Sequence, residues 1–176
     1  MDVTTLDLPM NKLRLCFALV LSLGAVVACV RAEPVDPRPA PSWTLKDVDG
    51  HAVSSAQFKG KVVVVDFWAT WCGPCRTEIP GYGELQKKYG KDGVVIIGMS
   101  VDQQGPEVVK KFIAQQKVGY RVVMADEAVQ EAFAGPEGLN AIPTTFIIDR
   151  EGNIRDRKVG AEPTAEFEQA LLKYLQ

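Results

Sequence analysis

The chain has 176 residues, 47% of them hydrophobic, with 20 basic and 22 acidic side chains and a formal net charge of −2. That length suits one globular domain with a proper core plus an appendage, and so balanced a charge argues against nucleic acid or an anionic membrane surface as partner. No period of roughly 20 to 50 residues recurs, which excludes a repeat array.

The appendage comes first. Leu15 to Ala28 is a run of apolar and small residues preceded by Lys12 and Arg14. It is shorter than the ~20 residues a membrane span needs and has the length of a signal-peptide core. Asp2 and Asp7 do not belong in a basic leader, whereas Met10-Asn-Lys-Leu-Arg14 opens one, so Met10 is the expected start. Residues 1–32 are therefore expected to be a signal peptide cut after Val30-Arg31-Ala32. The competing site is the lipobox-like Val26-Val27-Ala28-Cys29, in which an acylated Cys29 would make the protein a lipoprotein, anchored to the membrane by lipid alone. Either route delivers the protein to the bacterial periplasm or cell envelope. Residues 33–41 hold four prolines in nine positions and are expected to form an extended tether ahead of a domain over 42–176.

The domain opens with a β-hairpin, Trp43 to Leu45 against Ala52 to Val53, around the turn Asp47-Val-Asp-Gly50. His51, the only histidine, sits just past that turn and reads as a surface residue without partners for a metal. Val62 to Trp68 opens on four consecutive valines without polar alternation, which marks a strand covered on both faces. A turn carrying Cys72 and Cys75 leads into a helix to about Tyr89, with Lys87 and Lys88 at its negative end, Gly90 as its stop and Pro80 as a kink. Val94 to Val101 is a second buried strand. Gly105-Pro106 opens a helix ended near Gly119, Arg121 to Ala125 is a third strand, and Asp126 caps a short helix through Phe133. Pro143 precedes a strand over Thr144 to Ile148, the turn Asp149 to Asn153 returns the chain as a strand over Ile154 to Val159, and Pro163 opens a last helix. Its apolar stripe is Phe167, Ala170, Leu171, Tyr174 and Leu175. Strands alternating with helices until a terminal hairpin give an α/β fold with a mixed central sheet flanked by helices.

With Cys16 and Cys29 in the leader, the domain keeps only Cys72 and Cys75. One Cys-x-x-Cys pair in an exported protein points to redox catalysis rather than to a disulfide framework. Zinc would need two further ligands, and the domain offers one distant histidine. Cys72 precedes a helix, so backbone N–H groups and the helix dipole favour its thiolate, the form that attacks disulfides. Cys75, one turn on, suits the resolving thiol, and Pro74 lacks an N–H where the first turn can spare it. Asp66 interrupts the apolar run and is expected to be a buried carboxyl; the plain alternative is a strand-end aspartate capped by backbone donors.

The segment Asp66-Phe-Trp-Ala-Thr-Trp-Cys-Gly-Pro-Cys75 resembles the active-site segment of the thioredoxin superfamily. The opening hairpin and the added helix-strand unit before Asp126 make the layout similar to the exported TlpA/ResA-type thiol-disulfide oxidoreductases. The resemblance implies a redox-active Cys72–Cys75 disulfide and no other cofactor, with Asp66 as proton acceptor for Cys75. It implies a cis-Pro143 facing the cysteines and substrate docking at Trp71, Gly73, Pro74, Ile142, Pro143 and Thr144, with Ile142 free to pair with a substrate strand. Trp68 is expected in the core. Glu78 matches an active-site glutamate of the ResA-type subgroup, the alternative being a solvated residue at a helix start. Expected partners are substrate proteins with disulfides or thiols and a membrane thiol-electron transporter, with cytochrome c maturation as a common role. A thiol peroxidase is the competing enzyme class, but Ala69 stands where its Thr would be; a redox-inert binding module is the third.

Overall fold

The structure, a computed structural model, describes residues 37–135 and 138–175. The expected leader, its two cleavage sites, Met10, Cys16 and Cys29 lie outside the described residues. Among the described residues no helix is long and apolar enough to cross a membrane.

Among the described residues, eight strands and four α-helices follow in order as β1 (Arg38–Pro39), β2 (Thr44–Lys46), β3 (Ala52–Ser54), β4 (Val62–Trp68), α1 (Gly73–Tyr89), β5 (Val94–Ser100), α2 (Pro106–Gln116), β6 (Arg121–Met124), α3 (Glu127–Ala134), β7 (Thr144–Ile148), β8 (Asn153–Val159) and α4 (Thr164–Leu172). The main sheet has the order β1-β8-β7-β4-β5-β6, with β4, β5 and β6 parallel and β7, β8 and β1 antiparallel to their neighbours; β2 and β3 form a separate hairpin. This is the mixed α/β sheet expected from the alternation of elements.

Every residue of β4 is buried, which the valine run required. Its side chains alternate between two cores. Val62, Val64 and Trp68 pack with Cys75, Ile79 and Tyr82 of α1, Val109 of α2 and Phe167 and Leu171 of α4. Val63, Val65 and Phe67 face the hairpin residues Leu45 and Val53 and the α3 residues Val129 and Phe133. Phe67, Phe133 and Phe146 form a ring cluster on this second face, with centroids 5.3–6.0 Å apart, a geometry worth about 0.5–1.5 kcal/mol per pair beyond burial. By the same alternation Asp66 belongs to the first face, beneath α1.

Three expectations need correction. The stretch read as a tether is part of the sheet from Arg38 on: β1 pairs with Asn153 and Ile154, Ala40 N–H donates to the Gly152 carbonyl, and the Arg38 guanidinium donates to the Phe133 carbonyl. Proline tolerates an edge position because it needs no ladder donor there. The end of α1 is as expected: it stops at Tyr89 with Gly90 as its C-cap, and a short 3₁₀ turn follows, closed by Gly93 in the left-handed region (φ 95°). Lys117, not Gly119, takes the left-handed cap of α2; Gly119 instead lets its segment approach Gly83 of α1, where an added Cβ would come within 3.2 Å of backbone. Tyr174 and Leu175 pack on the core from a turn beyond the end of α4.

Candidate active site

Cys72 is the N-cap of α1, and its Sγ accepts from Cys75 N–H at 3.2 Å. The two sulfurs are joined in a disulfide, 2.07 Å long. Gly73 and Pro74, at the exposed first turn, separate the buried cysteines, and Pro74 stands where the missing N–H would be unsatisfied anyway. α1 runs through Pro80 as one element. Trp71 is 66% exposed beside Cys72, whereas Trp68 is fully buried against Phe112, as expected of both.

The turn is held from below by a residue the sequence did not single out. Asp102, buried after β5, accepts from the Thr70 N–H at 2.9 Å, the Thr70 hydroxyl at 2.6 Å and the Ser100 hydroxyl at 2.8 Å. Two of these bonds fix the residue next to Trp71, so the approach of the chain to Cys72 is set by one carboxylate.

Opposite the disulfide, the Ile142–Pro143 peptide bond is cis. The Ile142 carbonyl oxygen lies 3.7 Å from Cys72 Sγ, and the Pro143 carbonyl accepts from Gly160 N–H. Thr144, expected to contact substrate, is fully buried, and its hydroxyl donates to the Ala141 carbonyl at 2.7 Å. It shapes the loop from inside and has no face left for a substrate.

Beneath the turn, Asp66 sits at the middle of β4, 2% exposed, with Gly98 on one side and Thr145 on the other as its strand partners. The Thr145 hydroxyl donates to Asp66 Oδ1 at 3.2 Å and itself lies 3.1 Å from the Tyr82 hydroxyl. Burial pushes the Asp66 carboxyl up to about 8; the nearby Glu78 charge adds to the rise, while Thr145 and Lys158 oppose it. Glu78 is 5% exposed, which excludes the solvated alternative. Its Oε1 accepts from Glu162 N–H at 3.0 Å and lies 3.5 Å from the Lys158 ammonium, which is 3.0 Å from Glu162 Oε1. Burial raises the Glu78 carboxyl, with the Glu162 N–H and Lys158 pulling it back.

Trp71, Cys72, Gly73, Pro74 and Cys75 thus stand together at the start of α1 with Ile142 and Pro143 opposite, while Asp66 and Glu78 share the sheet face under α1. Sequence reasoning missed Thr145, Tyr82, Lys158, Glu162 and Asp102. Strand register exposes Thr145, which lies opposite Asp66, and Lys158, which lies opposite Thr145; the other three depend on tertiary approach. His51 is exposed, as expected, yet it has neighbours: Asp47 and Asp49 place carboxylate oxygens within 4.8 Å of its ring nitrogen. Those carboxylates already serve the fold, Asp47 accepting the N–H groups of Asp49 and His51 and Asp49 pairing with Lys110.

A disulfide that caps a helix and faces a cis-proline loop, with a buried carboxyl on the sheet face under the same helix, defines a dithiol oxidoreductase on a thioredoxin fold. The chain belongs to the Redoxin family, whose model matches residues 36–171. It is 33% identical over 134 residues to the thiol-disulfide oxidoreductase ResA of Bacillus anthracis, covering 76% of this chain and 75% of that one. The thioredoxin-like protein YneN of Bacillus subtilis is 33% identical over 133 residues, 75% of this chain and 76% of its own. Among solved structures, a thiol:disulfide interchange protein of the thioredoxin family from Chlorobium tepidum superposes with a TM-score of 0.74 at 39% identity, over 81% of this chain and 99% of that one. The protein is a thiol-disulfide oxidoreductase of ResA type.

Proposed function

We propose that this oxidoreductase works in the cell envelope as a reductant of substrate-protein disulfides, with Cys72 attacking, Cys75 resolving and Asp66 taking the proton from Cys75. The observation that supports this most is the placement of the Cys72 sulfur on the α1 N-terminus, against Cys75 N–H, with Asp66 buried under the same helix. In the reduced protein those donors favour the Cys72 thiolate. The thiolate attacks one sulfur of a substrate disulfide; a mixed disulfide forms and one substrate thiolate leaves. Cys75 then loses its proton to Asp66 and attacks Cys72 Sγ, which closes the Cys72–Cys75 disulfide and releases the second substrate sulfur as a thiolate; both substrate thiolates take their protons from solvent. Two electrons pass to the substrate, and the protein ends in the oxidised form described here.

Trp71, Gly73 and Pro74 offer the exposed rim for docking, and Ile142, in a bend outside the strands, is the edge for an added substrate strand. Pro143 sets that bend. The leader read over 1–32, or its Cys29-lipidated alternative, supports an envelope location. A reductant in that oxidising compartment needs electrons from a membrane thiol-electron transporter. Haem-binding thiols in cytochrome c maturation are the proposed substrate class.

Trapping in cells with Cys75→Ser tests the reading. Mixed disulfides on Cys72 are expected, identified by mass spectrometry; an absence of adducts while Cys72 still alkylates overturns it. Reduction of insulin by the wild-type protein separates it from a redox-inert module.

A further inference from the structure

Three adjacent strands place Asp66, Thr145 and Lys158 in one cross-strand row: Asp66 is the register partner of Thr145 on β4–β7, and Thr145 of Lys158 on β7–β8. Directly paired residues share a face of the sheet. That face lies under α1, which supplies Glu78 and Tyr82, and the chain beyond β8 supplies Glu162. Tyr120 reaches the same region, and its hydroxyl, like Glu78 Oε2, has no hydrogen-bond partner among the described residues. The ionisable groups that act on the Asp66–Glu78 pair are therefore Tyr82 from α1, Tyr120 from the start of β6, Lys158 from β8 and Glu162 beyond it. Asp156, two residues before Lys158 on β8, acts on Tyr174 instead.

Two ionised carboxylates and one ammonium in so dry a site leave a net negative charge that burial penalises strongly. One carboxyl must hold a proton near neutrality, and the surroundings are unequal. Glu78 Oε1 receives a backbone N–H and stands beside the Lys158 charge. Asp66 receives only the neutral Thr145 hydroxyl. Lys158 is in turn steadied on its outer side by Glu162, which is about one-fifth exposed and marks the solvent end of the row.

We propose that Lys158 is a positioning residue for the exchange reaction: it keeps Glu78 ionised, so that the single proton held by the buried carboxyl pair rests on Asp66. The pair titrates as a unit, and Lys158 assigns the proton within it. The use of that proton in turnover rests on the reading of Asp66 as proton acceptor.

The test is a carbon-13 NMR titration of the side-chain carboxyl carbons of Asp66 and Glu78 in the oxidised protein. In the wild type Glu78 is expected to remain a carboxylate through neutral pH while Asp66 titrates near 8. In Lys158→Met, which keeps the apolar stem, Glu78 should carry a proton at neutral pH, with its titration moved up by ~1–3 pH units, and Lys158→Arg should restore it. Glu78 still ionised at pH 7 in Lys158→Met overturns the proposal. Glu162→Gln removes a like charge near Glu78 and should move its titration down, opposite to Lys158→Met; an upward shift also overturns the proposal. The pH–rate profile of resolution in Asp66→Asn is read separately. A profile of wild-type shape removes Asp66 as the proton acceptor, yet the NMR shift would still support Lys158 as the residue that places the charge.

Discussion

Thr145 stands opposite Asp66 on the β4–β7 ladder and donates its hydroxyl to the Asp66 carboxyl at 3.2 Å. Since that hydroxyl has one hydrogen, the Tyr82 hydroxyl, 3.1 Å away, donates to Thr145 in turn. A neutral hydroxyl pair is thus the hydrogen-bonding support that the described structure gives to this buried carboxyl, beside the more distant charge of Lys158. Replacing Thr145 with Val keeps the shape and removes both bonds. The expected cost is about 1–3 kcal/mol in denaturant unfolding, from the two buried polar groups left unpaired. Because the hydroxyl favours the charged form of Asp66, its loss should also move the pH midpoint of the resolving step upward. Stopped-flow tryptophan fluorescence checks this, and an unmoved midpoint would detach Thr145 from the proton step.

Asp66 also makes stability depend on pH. Its carboxyl titrates near 3.8 when exposed and about 8 in the folded protein, so between those values the folded state holds a proton that the unfolded state has lost. Stability falls wherever the native state binds more protons and pH rises. This group's contribution is therefore full below about pH 4 and declines until about pH 8. Asp66→Asn, which cannot ionise, is expected to flatten that decline and to be more stable than the wild type above pH 8, by several kcal/mol. Thermal melts of the oxidised protein from pH 5 to pH 9 decide it. Parallel curves for the two proteins would contradict the burial of an ionising Asp66.

Asp102 acts on the turn by geometry alone. Asp102→Ala removes the acceptor for Thr70 N–H, the Thr70 hydroxyl and the Ser100 hydroxyl. A loss on the order of 2 kcal/mol in stability is expected, as for hydrogen bonds to a charged acceptor. The attack of Cys72 on a small disulfide should slow, since Thr70 no longer holds the approach to Cys72, while the pH midpoint of resolution stays that of the wild type. A shifted midpoint would show that Asp102 instead belongs to the proton system.

What the sequence made legible was local. Four valines in a row state that β4 is covered twice, and strand alternation then places Asp66 under α1 before any contact is known. Cys72 as helix cap follows from the Gly73-Pro74 start. Glu162 was not legible because it meets Glu78 across 84 residues, and that approach depends on where α4 begins after β8. Lys158 follows from the β7–β8 register once that is known, but a register irregularity at Ile147/Ile148 hides from the sequence which β8 residues face the core. Arg38 and Pro39 read as tether because proline signals extension equally in a tether and at a sheet edge; only the partner strand distinguishes them. The same ambiguity misplaced Thr144, whose outward or inward direction depends on the cis bend before it.

Trp71 gives the clearest separation of docking from chemistry. It is 66% exposed and borders a cleft also lined by Val101, Gln104, Glu127 and Gln130, so its indole supports little of the fold. Trp71→Ala should change unfolding free energy by no more than about 0.5 kcal/mol, as for an exposed site. Exposed aromatics beside a reactive group are typical anchors for a partner, and losing one costs on the order of 1–2 kcal/mol, roughly a five- to thirtyfold rise in KM for a protein disulfide. The rate constant with a small-molecule disulfide, which has no reach beyond Cys72, should stay near wild type. An equal loss with both substrates would mean that Trp71 serves the cysteine itself rather than the docking of the chain that carries the substrate disulfide.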